Sequence, residues 1–368
     1  MKKIRILMIS SSGELGGGPI LIHTLGNGLG QEFEVFYAIP KNKLFQKLSI
    51  QKDKIINISE RKITFFDLVN LIKFIDLKLI DIIHAHGKGA GFISRIIKIF
   101  VRKPLIYSFH GIHLKCLNSF QKLTYISLEN LSGFLDTYKV LSSKSEKLYA
   151  EKSNIRLGKN NLIINNGVKN KKIKSYLNWR ESNKKNFKKE KIKILSICRF
   201  VKQKNVSEIV ELSKILPNFN FFIIGYGPLF EKIRLKKERY GLQNLFLLGK
   251  QTNILKYLYE SDLYLSTSLY EGHPISILEA MSIGLPIIAT NVTGNNDTIV
   301  HGESGFFYEL GSIQEASKYI KLISKNINLL KAMGTKSYER QRQKFSVQEM
   351  CSNTSNLYKK IYKDTLIN

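Results

Sequence analysis

Short apolar runs alternate with longer amphipathic stretches along the whole chain. The apolar runs are rich in Ile, Val and Tyr and are followed by turn residues, which is the pattern of buried β-strands. In the first half, strands are predicted at Ile4–Ser10, Glu34–Ile39, Ile80–His84, Pro104–Phe109, Thr137–Leu141 and Asn161–Ile164. In the second half, strands are predicted at Ile192–Ile197, Phe219–Ile224, Leu245–Leu248, Leu263–Ser266, Ile287–Thr290 and Gly305–Tyr308. Helices are predicted between the strands, for example at Ile20–Gly30, Phe65–Leu77 and Ser119–Gly133.

Strands that are apolar on both faces and alternate with helices are typical of parallel sheets covered by helices on both sides. The sequence therefore predicts an α/β protein with two doubly wound domains in tandem. Ligands of such sheets bind at the carboxyl ends of the strands. We therefore expect the site in the cleft where the two sets of strand ends face each other.

A basic segment marks the expected boundary between the two domains. Residues 169–193 contain 11 Lys and Arg against two Glu, together with few aliphatic residues, which indicates an exposed connector. We predict a first domain over residues 1–168, a basic linker over 169–190 and a second domain over 191–349. A final helix over about 350–368 ends the fold and can pack back on the first domain.

Composition narrows the class of protein. The chain has 368 residues, of which 43% are hydrophobic, so it is long enough for two folded domains. No charge-free apolar stretch reaches the length of a spanning helix, and the N-terminus lacks a secretory signal. Three widely spaced cysteines argue against a disulfide framework and indicate reduced thiols in a cytoplasm. The formal net charge of +29 favours anionic partners, although a Lys-rich composition explains it equally well.

The helix start that follows the strand at 263–266 carries the strongest candidate chemistry. Pro274 fits the first turn of this helix, which leaves backbone amides free to bind an anion. These amides belong to Ile275, Ser276 and Ile277. Glu271 precedes the helix and Glu279 lies inside it, so two carboxylates flank the anion site and suit recognition of hydroxyl groups. An ordinary helix with surface acids is the alternative.

Two cations follow the first strand of the second half. Arg199 comes directly after the strand and Lys204 opens the next helix, so both are expected at the carboxyl edge of the sheet. The guanidinium fork and the ammonium point charge suit a diphosphate. The chain contains no Asp-x-Asp pair that could hold Mg²⁺ or Mn²⁺, so these cations and a helix start would neutralise the diphosphate instead. We predict no metal and no other cofactor.

Glycine-rich turns follow two of the predicted strands. Gly225 and Gly227 lie in a Gly-Tyr-Gly-Pro turn, and Gly17 and Gly18 lie in the loop before the first helix. The loop with Gly17 and Gly18 lets the backbone approach a phosphate closely, and Gly225 and Gly227 are further candidates for donor binding. Neither contains the G-x-G-x-x-G pattern, so an NAD-dependent dehydrogenase is disfavoured.

Histidines cluster after two strands of the first half, at His84, His86, His110 and His113. An H-x-H pair at a strand end can bind a metal ion, which keeps a metal-dependent hydrolase as an alternative. A loop histidine with satisfied hydrogen bonds is the default interpretation of His84 and His113. His110 is the strongest candidate because a glycine follows it in a strand-end loop.

Together these motifs resemble the family 4 glycosyltransferases, also called glycosyl transferases group 1, which have the GT-B fold of two Rossmann-like domains. The resemblance keeps the order of the family motifs over most of the chain. The motifs are the N-terminal glycine loop, His110-Gly111, Asn165-Asn166-Gly167-Val168, Arg199 with Lys204, Gly225-x-Gly227-Pro228, Phe246–Gly249, Glu271 with Glu279, Glu279–Pro286 and Gly302–Gly305.

The resemblance implies a retaining transfer of a sugar from a nucleotide-sugar, with a UDP-sugar as the expected donor, to a hydroxyl. Arg199 and Lys204 would then hold the diphosphate and stabilise the charge on the departing nucleotide. Glu279 would bind the ribose hydroxyls, and Glu271 would contact the transferred sugar. The implied mechanism is a same-face substitution assisted by the leaving phosphate, without a protein nucleophile.

The first half of the chain is implied to bind the acceptor. His110 would lie beside the transferred sugar, and Gly17 or Gly18 would approach the phosphates. His273 stands where the family often has a small or aromatic residue, which leaves the choice of donor sugar open.

The acceptor is expected to be a saccharide or a lipid-linked saccharide of bacterial envelope polysaccharide synthesis. Phe120 and Tyr125, together with the basic charge, would let the first domain sit on an anionic membrane from the cytoplasmic side. Packing of these aromatics inside the domain is the alternative. A non-catalytic basic protein that binds anions is the remaining alternative function, and no nucleic-acid partner is expected.

Overall fold

The computed structural model of the protein describes residues 2–13, 17–41, 50–60, 64–112, 114, 117–171 and 191–367. The chain divides into two compact units. Unit 1 consists of Met1–Gly167 together with Val347–Asn368, and unit 2 consists of Val168–Ser346. The chain therefore leaves unit 1 once, builds unit 2, and returns to unit 1 in its last helix.

Each unit is built on one parallel sheet. The strands of unit 1 are β1 (Ile4–Ser10), β2 (Phe33–Pro40), β3 (Ile55–Ile58), β4 (Ile82–His86), β5 (Leu105–Ser108), β6 (Tyr138–Leu141) and β7 (Asn161–Ile163). The strands of unit 2 are β8 (Lys193–Ile197), β9 (Asn220–Ile224), β10 (Leu245–Gly249), β11 (Leu263–Ser266), β12 (Ile287–Thr290) and β13 (Gly305–Tyr308).

Helices connect the strands and cover the sheets. They are α1 (Gly17–Gly28), α2 (Phe65–Leu77), α3 (Lys88–Phe100), α4 (Ser119–Ser132), α5 (Lys144–Lys152), α6 (Val206–Ile215), α7 (Phe230–Arg239), α8 (Ile254–Glu260), α9 (Ile275–Met281), α10 (Asn295–Thr298), α11 (Ile313–Lys325), α12 (Ile327–Lys344) and α13 (Val347–Ile367). Short 3₁₀ turns occur at Lys52–Lys54, Gly133–Leu135 and Lys202–Lys204.

The strand order identifies both sheets as doubly wound. Among the described residues the order is β3-β2-β1-β4-β5-β6-β7 in unit 1 and β10-β9-β8-β11-β12-β13 in unit 2. In each sheet the direction of winding reverses next to the first strand, between β1 and β4 and between β8 and β11. Ligands of such sheets bind beside this reversal, at the carboxyl ends of the strands. The predicted fold class of two parallel α/β sheets is confirmed.

The central strands are buried on both faces, as their continuous apolar runs predicted. Ile6, Leu7, Met8 and Ile9 are all fully buried although successive side chains point to opposite faces of β1. Leu7 and Ile9 belong to the core that lies under α2, α3 and α5. Helices are therefore required on both sides of the sheet.

The last helix, α13, packs beside α1 in unit 1. Leu357 and Ile361 of this helix are buried, and each such side chain contributes about 1.5–3 kcal/mol relative to an exposed one. Tyr358 is fully buried, and its hydroxyl lies 2.6 Å from Nδ1 of His84 on β4. The end of the chain thereby contacts the strand that carries two of the candidate histidines.

Two strands differ from the sequence prediction by more than one residue at an end. The edge strand β3 was not predicted, because its four residues lie beside the polar segment Lys52–Lys54 and form only a short apolar run. Strand β4 covers Ile82–His86 rather than Ile80–His84, because the amide of Ile80 donates to the carbonyl of Ile75 and so completes the end of α2. Both His84 and His86 therefore belong to the strand and not to the loop after it.

The start of the predicted basic linker is attached to unit 2. Val168 pairs with Ser346, and the hydroxyl of Tyr338 on α12 donates to the carbonyl of Lys171 at 3.0 Å. Residues 172–190, with Trp179 and most of the basic charges, lie outside the described residues.

Candidate active site

Lys204 and Glu271 form an ion pair beyond the carboxyl ends of β8 and β11 in unit 2. Their Nζ and Oε1 atoms are 2.5 Å apart, and only 16% and 8% of the two side chains are exposed. Lys204 is the last residue of a 3₁₀ turn. The hydroxyl of Thr267, the residue that follows β11, donates to the carbonyl of Lys204 at 2.9 Å and so fixes this turn. The sequence-predicted cation and carboxylate are therefore brought into direct contact.

Glu271 is held in place by its backbone and by a neighbouring amide. Its N–H donates to the carbonyl of Thr293 at 3.0 Å. The side-chain amide of Gln203 donates to the carbonyl of Tyr270 at 3.0 Å and lies 3.5 Å from Oε2 of Glu271. Gly294 has a φ of +86°, and a Cβ there would lie 2.7 Å from the carbonyl oxygen of Gly272. Glycine is therefore required where this loop crosses the backbone that carries Glu271.

A polar pocket surrounds the ion pair. Besides Lys204 and Glu271, its polar side chains come from the ends of β8 and β11, the following loop and the start of α9, namely Ser196, Ser266, Thr267, Ser268 and Ser276. Tyr264 also lines it, and its hydroxyl lies 3.2 Å from both N and O of Ile197. Hydroxyl groups and one ammonium around a carboxylate are suited to a ligand that carries both anionic oxygens and hydroxyls.

Arg199 lies two residues beyond the end of β8 and is exposed. The loop that carries it packs tightly on the predicted glycines. A Cβ on Gly225, whose φ is +138°, would lie 1.9 Å from the carbonyl oxygen of Cys198. A Cβ on Gly227 would lie 2.7 Å from the carbonyl oxygen of Phe200. In the structure, Gly225 and Gly227 therefore position the Arg199 loop through close backbone packing.

The start of α9 differs from its prediction. Pro274 is the residue before the helix, and its carbonyl accepts the amides of Ile277 and Leu278 at 3.1 and 3.2 Å. The amide of Ile277 is consequently not free, because the helix already tightens in its first turn, and its side chain is fully buried in the core. Ser276 lines the pocket, whereas Ile275 is half-buried against the core of unit 2.

Glu279 lies one turn further along α9. Burial raises the pKa of its carboxyl to about 7, while the nearby Lys171 acts in the opposite direction. A carboxyl that is this poorly solvated readily accepts hydrogen bonds from ligand hydroxyls once it is ionised.

His273 lies beside these carboxylates in sequence but packs elsewhere. It is buried, and its ring meets that of Phe345 edge-on with centroids 4.9 Å apart. Burial lowers its pKa to about 4, so the ring is neutral at pH 7. The residue that departs from the family pattern is thus a packing residue of unit 2 in this structure.

In unit 1, His110 occupies an unusual backbone conformation after β5. Its φ is +54°, which is rare for a residue other than glycine. The next amide, that of Gly111, donates to Oε1 of Glu146 at 2.5 Å. Oε2 of Glu146 accepts the backbone N–H and the hydroxyl of Ser142, each at 2.7 Å. A buried carboxylate therefore holds the loop in this conformation.

Three histidines form a row beneath this loop. Nδ1 of His86 lies 2.9 Å from Nε2 of His110, and the ring of His86 packs against that of His84 with centroids 4.0 Å apart and a 30° interplanar angle. His84 uses both nitrogens, one toward Tyr358 and one toward the hydroxyl of Ser108 at 2.8 Å. Burial lowers the pKa of His84 to about 3 and that of His110 to about 4.

Gly17 and Gly18 lie in the first turn of α1 and not in the loop before it. The helix starts earlier than predicted because Pro19 is accommodated within its first turn, where a missing N–H costs nothing. Among the described residues, a Cβ on Gly18 would meet no atom within 4 Å, which leaves space for a ligand beside this part of the backbone.

Comparison with known proteins shows which enzymes the chain is similar to. A model of the glycosyl transferases group 1 family matches residues 178–340. An Escherichia coli protein, UDP-Gal:alpha-D-GlcNAc-diphosphoundecaprenol alpha-1,3-galactosyltransferase, is 28% identical over 286 residues, which cover 70% of this chain and 72% of that protein. The capsular polysaccharide biosynthesis glycosyltransferase CapM of Staphylococcus aureus is 25% identical, with 82% of this chain and 83% of that protein covered. The protein is therefore a glycosyltransferase, and its residues 178–340 match the glycosyl transferases group 1 family.

Solved structures place this glycosyltransferase in the GT-B fold class. Anabaena Alr3699/HepE in complex with UDP-glucose is similar with a TM-score of 0.82 and 18% identity, covering 97% of this chain and 100% of that one. Sucrose-phosphate synthase from Thermosynechococcus elongatus has a TM-score of 0.83 at 16% identity, covering 98% of this chain and 100% of that one. At these identities the likeness concerns the fold.

The alternative functions are not supported for this glycosyltransferase. In the described part of the chain, no three His, Cys, Asp or Glu side chains are grouped so as to hold a metal ion. Both nitrogens of His84 are already hydrogen-bonded within the protein, and His113 lies outside the described residues. The metal-hydrolase alternative therefore has no ligand set among the residues that the structure describes, and the similarity to glycosyltransferases argues against a non-catalytic protein. Within the described residues, no helix combines the length and apolar character needed to cross a membrane.

Several residues that shape the site were missed by the sequence analysis. Gln203 and Thr267 hold Lys204 and Glu271, and Glu146 holds the His110 loop. The Ser143-x-x-Glu146 spacing is a signal for a helix start, and Ser143 does cap α5. This signal carried no information about Gly111, because the contact joins residues 35 apart in sequence.

Proposed function

We propose that this glycosyltransferase moves a sugar from a UDP-sugar to a hydroxyl of a lipid-linked saccharide in bacterial envelope polysaccharide synthesis, with retention of anomeric configuration. The observation that carries the proposal is the Lys204–Glu271 ion pair in a pocket whose other polar side chains are mostly hydroxyl groups. A cation for the diphosphate and a carboxylate for the attached sugar lie side by side at the strand ends where such sheets bind nucleotides.

The residues of unit 2 would act mainly through electrostatics. Lys204 and Arg199 bind the diphosphate and stabilise the negative charge that develops as the sugar–phosphate bond breaks. Glu279 accepts hydrogen bonds from the ribose hydroxyls, and Glu271 accepts them from the transferred sugar. The acceptor hydroxyl attacks on the face from which UDP departs, and the leaving phosphate takes its proton, so no protein nucleophile is required.

The proposed roles of the remaining residues rest on the family resemblance. His110 acts on the transferred sugar, and Gly17 or Gly18 approaches the phosphates. The open space at Gly18 and the fixed backbone of His110 support these roles.

The names of related proteins support the choice of donor and acceptor class. The E. coli relative is named for UDP-Gal as donor and for a diphosphoundecaprenol-linked GlcNAc as acceptor. CapM is named for capsular polysaccharide biosynthesis. The structures of Anabaena HepE contain UDP, UDP with glucose, or UDP-glucose.

Calorimetric titration with UDP, GDP and ADP, followed by a panel of nucleotide-sugars assayed for slow hydrolysis, tests the donor. We expect saturable UDP binding that Lys204→Ala abolishes and Lys202→Ala preserves, since Lys202 is an exposed lysine of the same 3₁₀ turn. Turnover of the matching UDP-sugar should fall at least a hundredfold in Lys204→Ala, the range for losing a charge contact in the transition state. Equal turnover in Lys204→Ala and Lys202→Ala would refute the assignment of Lys204 to the donor site. Tighter binding of GDP or ADP than of UDP would refute a UDP-sugar as the donor.

We further propose that α4 contacts the anionic membrane in which a lipid-linked acceptor resides. Phe120, Leu123 and Leu131 of this helix are 78%, 65% and 72% exposed, and Phe134 in the next turn is 80% exposed. The helix has one acidic residue, Glu129, which is buried and ion-paired with Arg95 at 2.8 Å. Its outer face thus carries several exposed apolar side chains and no negative charge, in a chain of net charge +29.

Of the two aromatic residues that the sequence predicted to contact a membrane, one is exposed and the other is buried. Phe120 is exposed as the membrane hypothesis requires, whereas Tyr125 is buried with the Nζ of Lys88 4.1 Å from its ring centroid.

Flotation with phosphatidylglycerol vesicles at low salt tests whether this surface contacts a membrane. Replacing Phe120 and Leu131 by Ser should reduce flotation, whereas Leu77→Ser, an equally exposed change on α2, should not. Failure of the wild-type protein to float would refute the membrane contact.

A further inference from the structure

His86 lies beneath His110 in a buried row of imidazoles. It is 6% exposed, its Nδ1 lies 2.9 Å from Nε2 of His110, and the two rings are nearly parallel with a 19° interplanar angle. Family resemblance singled out His110 and its glycine. His86 entered the sequence analysis only as part of a metal pair, which the structure does not support.

The rings of both residues are neutral at physiological pH. Burial lowers the pKa of His110 to about 4 and that of His86 well below its usual range. A neutral imidazole carries one N–H and one bare nitrogen, so the contact must have one donor and one acceptor. The direction of this hydrogen bond consequently decides which nitrogen of His110 keeps its proton.

The surroundings of His86 decide which of the two histidines donates in this hydrogen bond. Among the described residues, Nε2 of His86 has no hydrogen-bond partner. The pocket that His86 lines is apolar on the side of α1, where Leu21, Ile22 and Leu25 contribute. Buried N–H groups without an acceptor are rarer in proteins than bare acceptors without a donor. The proton of His86 is therefore on Nδ1, from which it is donated to His110.

We infer that His86 is a positioning residue, whose Nδ1–H holds Nε2 of His110 as an acceptor and so leaves the proton of His110 on Nδ1. This inference rests on the proposed function, in which His110 acts on the transferred sugar. The Nδ1–H of His110 is then the donor that the ring offers to an oxygen of that sugar.

The rest of the row makes His86 a firm support. The ring of His84 packs against that of His86 and is itself hydrogen-bonded at both nitrogens, to Tyr358 and to Ser108. The backbone of His110 is held separately through Gly111 and Glu146. With its backbone fixed at one point and its ring at another, His110 has a single orientation, as pre-organised sites require.

The tautomer can be read without substrate, by ¹⁵N–¹H correlation spectra of the full-length protein labelled with [¹⁵N]histidine. A His110→Gln variant assigns the signals of residue 110. We expect a bare Nε2 and a protonated Nδ1 on His110. A protonated Nε2 on His110 in the wild-type protein would overturn the inference, whatever the enzyme transfers. Because this readout needs no sugar, it fails independently of the proposed function.

Two variants separate positioning from structural support. His86→Asn keeps an N–H donor near the place of Nδ1, whereas His86→Leu removes it. We expect His86→Leu to lower kcat about ten- to a hundredfold, the range for losing a partner that orients a functional imidazole, with little change in the donor KM. His86→Asn should recover most of this loss and retain the His110 tautomer. His23→Leu, the same change in a histidine on α1 outside the row, should leave kcat unchanged. If His86→Asn is as impaired as His86→Leu, or if His86→Leu keeps full kcat, the inference is wrong.

Discussion

Nζ of Lys204 lies 2.5 Å from Oε1 of Glu271, although 67 residues separate them in sequence. The two groups neutralise each other in the pocket that we propose binds the diphosphate and the sugar. A ligand phosphate must therefore compete with Glu271 for the ammonium of Lys204.

Because of this competition, we expect Glu271→Gln to strengthen the binding of UDP and to slow the transfer of the sugar. Glu271→Gln removes the competing charge, so free UDP should bind roughly three- to tenfold more tightly, or about 0.7–1.4 kcal/mol. Sugar transfer should fall by about a hundredfold or more, because the carboxylate that recognises the sugar is lost. Calorimetry with UDP and an assay with the donor measure the two effects. Weaker UDP binding in Glu271→Gln, with Glu260→Gln as the exposed control, would contradict the competition.

Glu279 should oppose stability and favour binding. Its pKa is raised to about 7 in the folded protein from a usual value of 4.5, so ionisation favours the unfolded chain. Stability is therefore lost as pH rises through about 7, by an amount on the order of 1–3 kcal/mol. Glu279→Gln should have a higher Tm than the wild type at pH 8 and a similar Tm at pH 5, while UDP binding weakens. An equal Tm difference at both pH values would show that the carboxyl does not titrate as described.

Removing Glu146 should affect unit 1 without affecting nucleotide binding. Its carboxylate accepts three hydrogen bonds, from the amide of Gly111 and from the amide and hydroxyl of Ser142. Glu146→Ala leaves these buried donors unsatisfied, at a cost of about 1–3 kcal/mol for each group. We expect a lower Tm and a kcat reduced at least tenfold, since His110 can leave its strained conformation. UDP affinity, measured by calorimetry, should remain that of the wild type, and a loss of UDP affinity would contradict this assignment.

A single methyl group at Gly225 should disturb the Arg199 loop. The new Cβ would lie 1.9 Å from the carbonyl oxygen of Cys198, so the loop after β8 must shift. Gly241 is also in the left-handed region, with a φ of +60°, but a Cβ there would meet no atom within 4 Å in the part of the chain that the structure describes. Gly225→Ala should weaken UDP binding, whereas Gly241→Ala should cost only its backbone strain, of the order of 1 kcal/mol. Equal UDP affinity in both variants would show that the close packing is unimportant for binding.

Transfer should survive removal of divalent cations. Lys204 and Arg199 supply the positive charge that the diphosphate needs in the proposed site. Activity should therefore be unchanged after dialysis against EDTA and assay in excess chelator. Loss of activity that a single added metal ion restores would require a cation in the donor site.

Much of the fold could be predicted because a central strand is buried on both faces, and such a strand appears in the sequence as a continuous apolar run. The runs at Ile4–Ser10 and Leu263–Ser266 are apolar at every position that a two-sided core requires, and the structure begins and ends these strands at the predicted residues. The edge strand β3 escaped prediction, because a strand covered on fewer sides needs fewer apolar residues. Strand β4 was displaced by two residues, because a backbone hydrogen bond from Ile80 closes α2, and no side-chain pattern records such a bond.

The sequence by itself determined the class of fold and the residue types of the candidate site, because hydrophobic periodicity and motif order are properties of neighbouring residues. Only the tertiary structure decided which of these residues meet. It brought Lys204 to Glu271, Glu146 to Gly111 and His86 to His110. It also showed that the amide of Ile277, which the sequence predicted to be available for an anion, is hydrogen-bonded within its own helix. Such contacts depend on strand register and loop conformation, which arise from packing across the whole sheet and leave no local pattern along the chain.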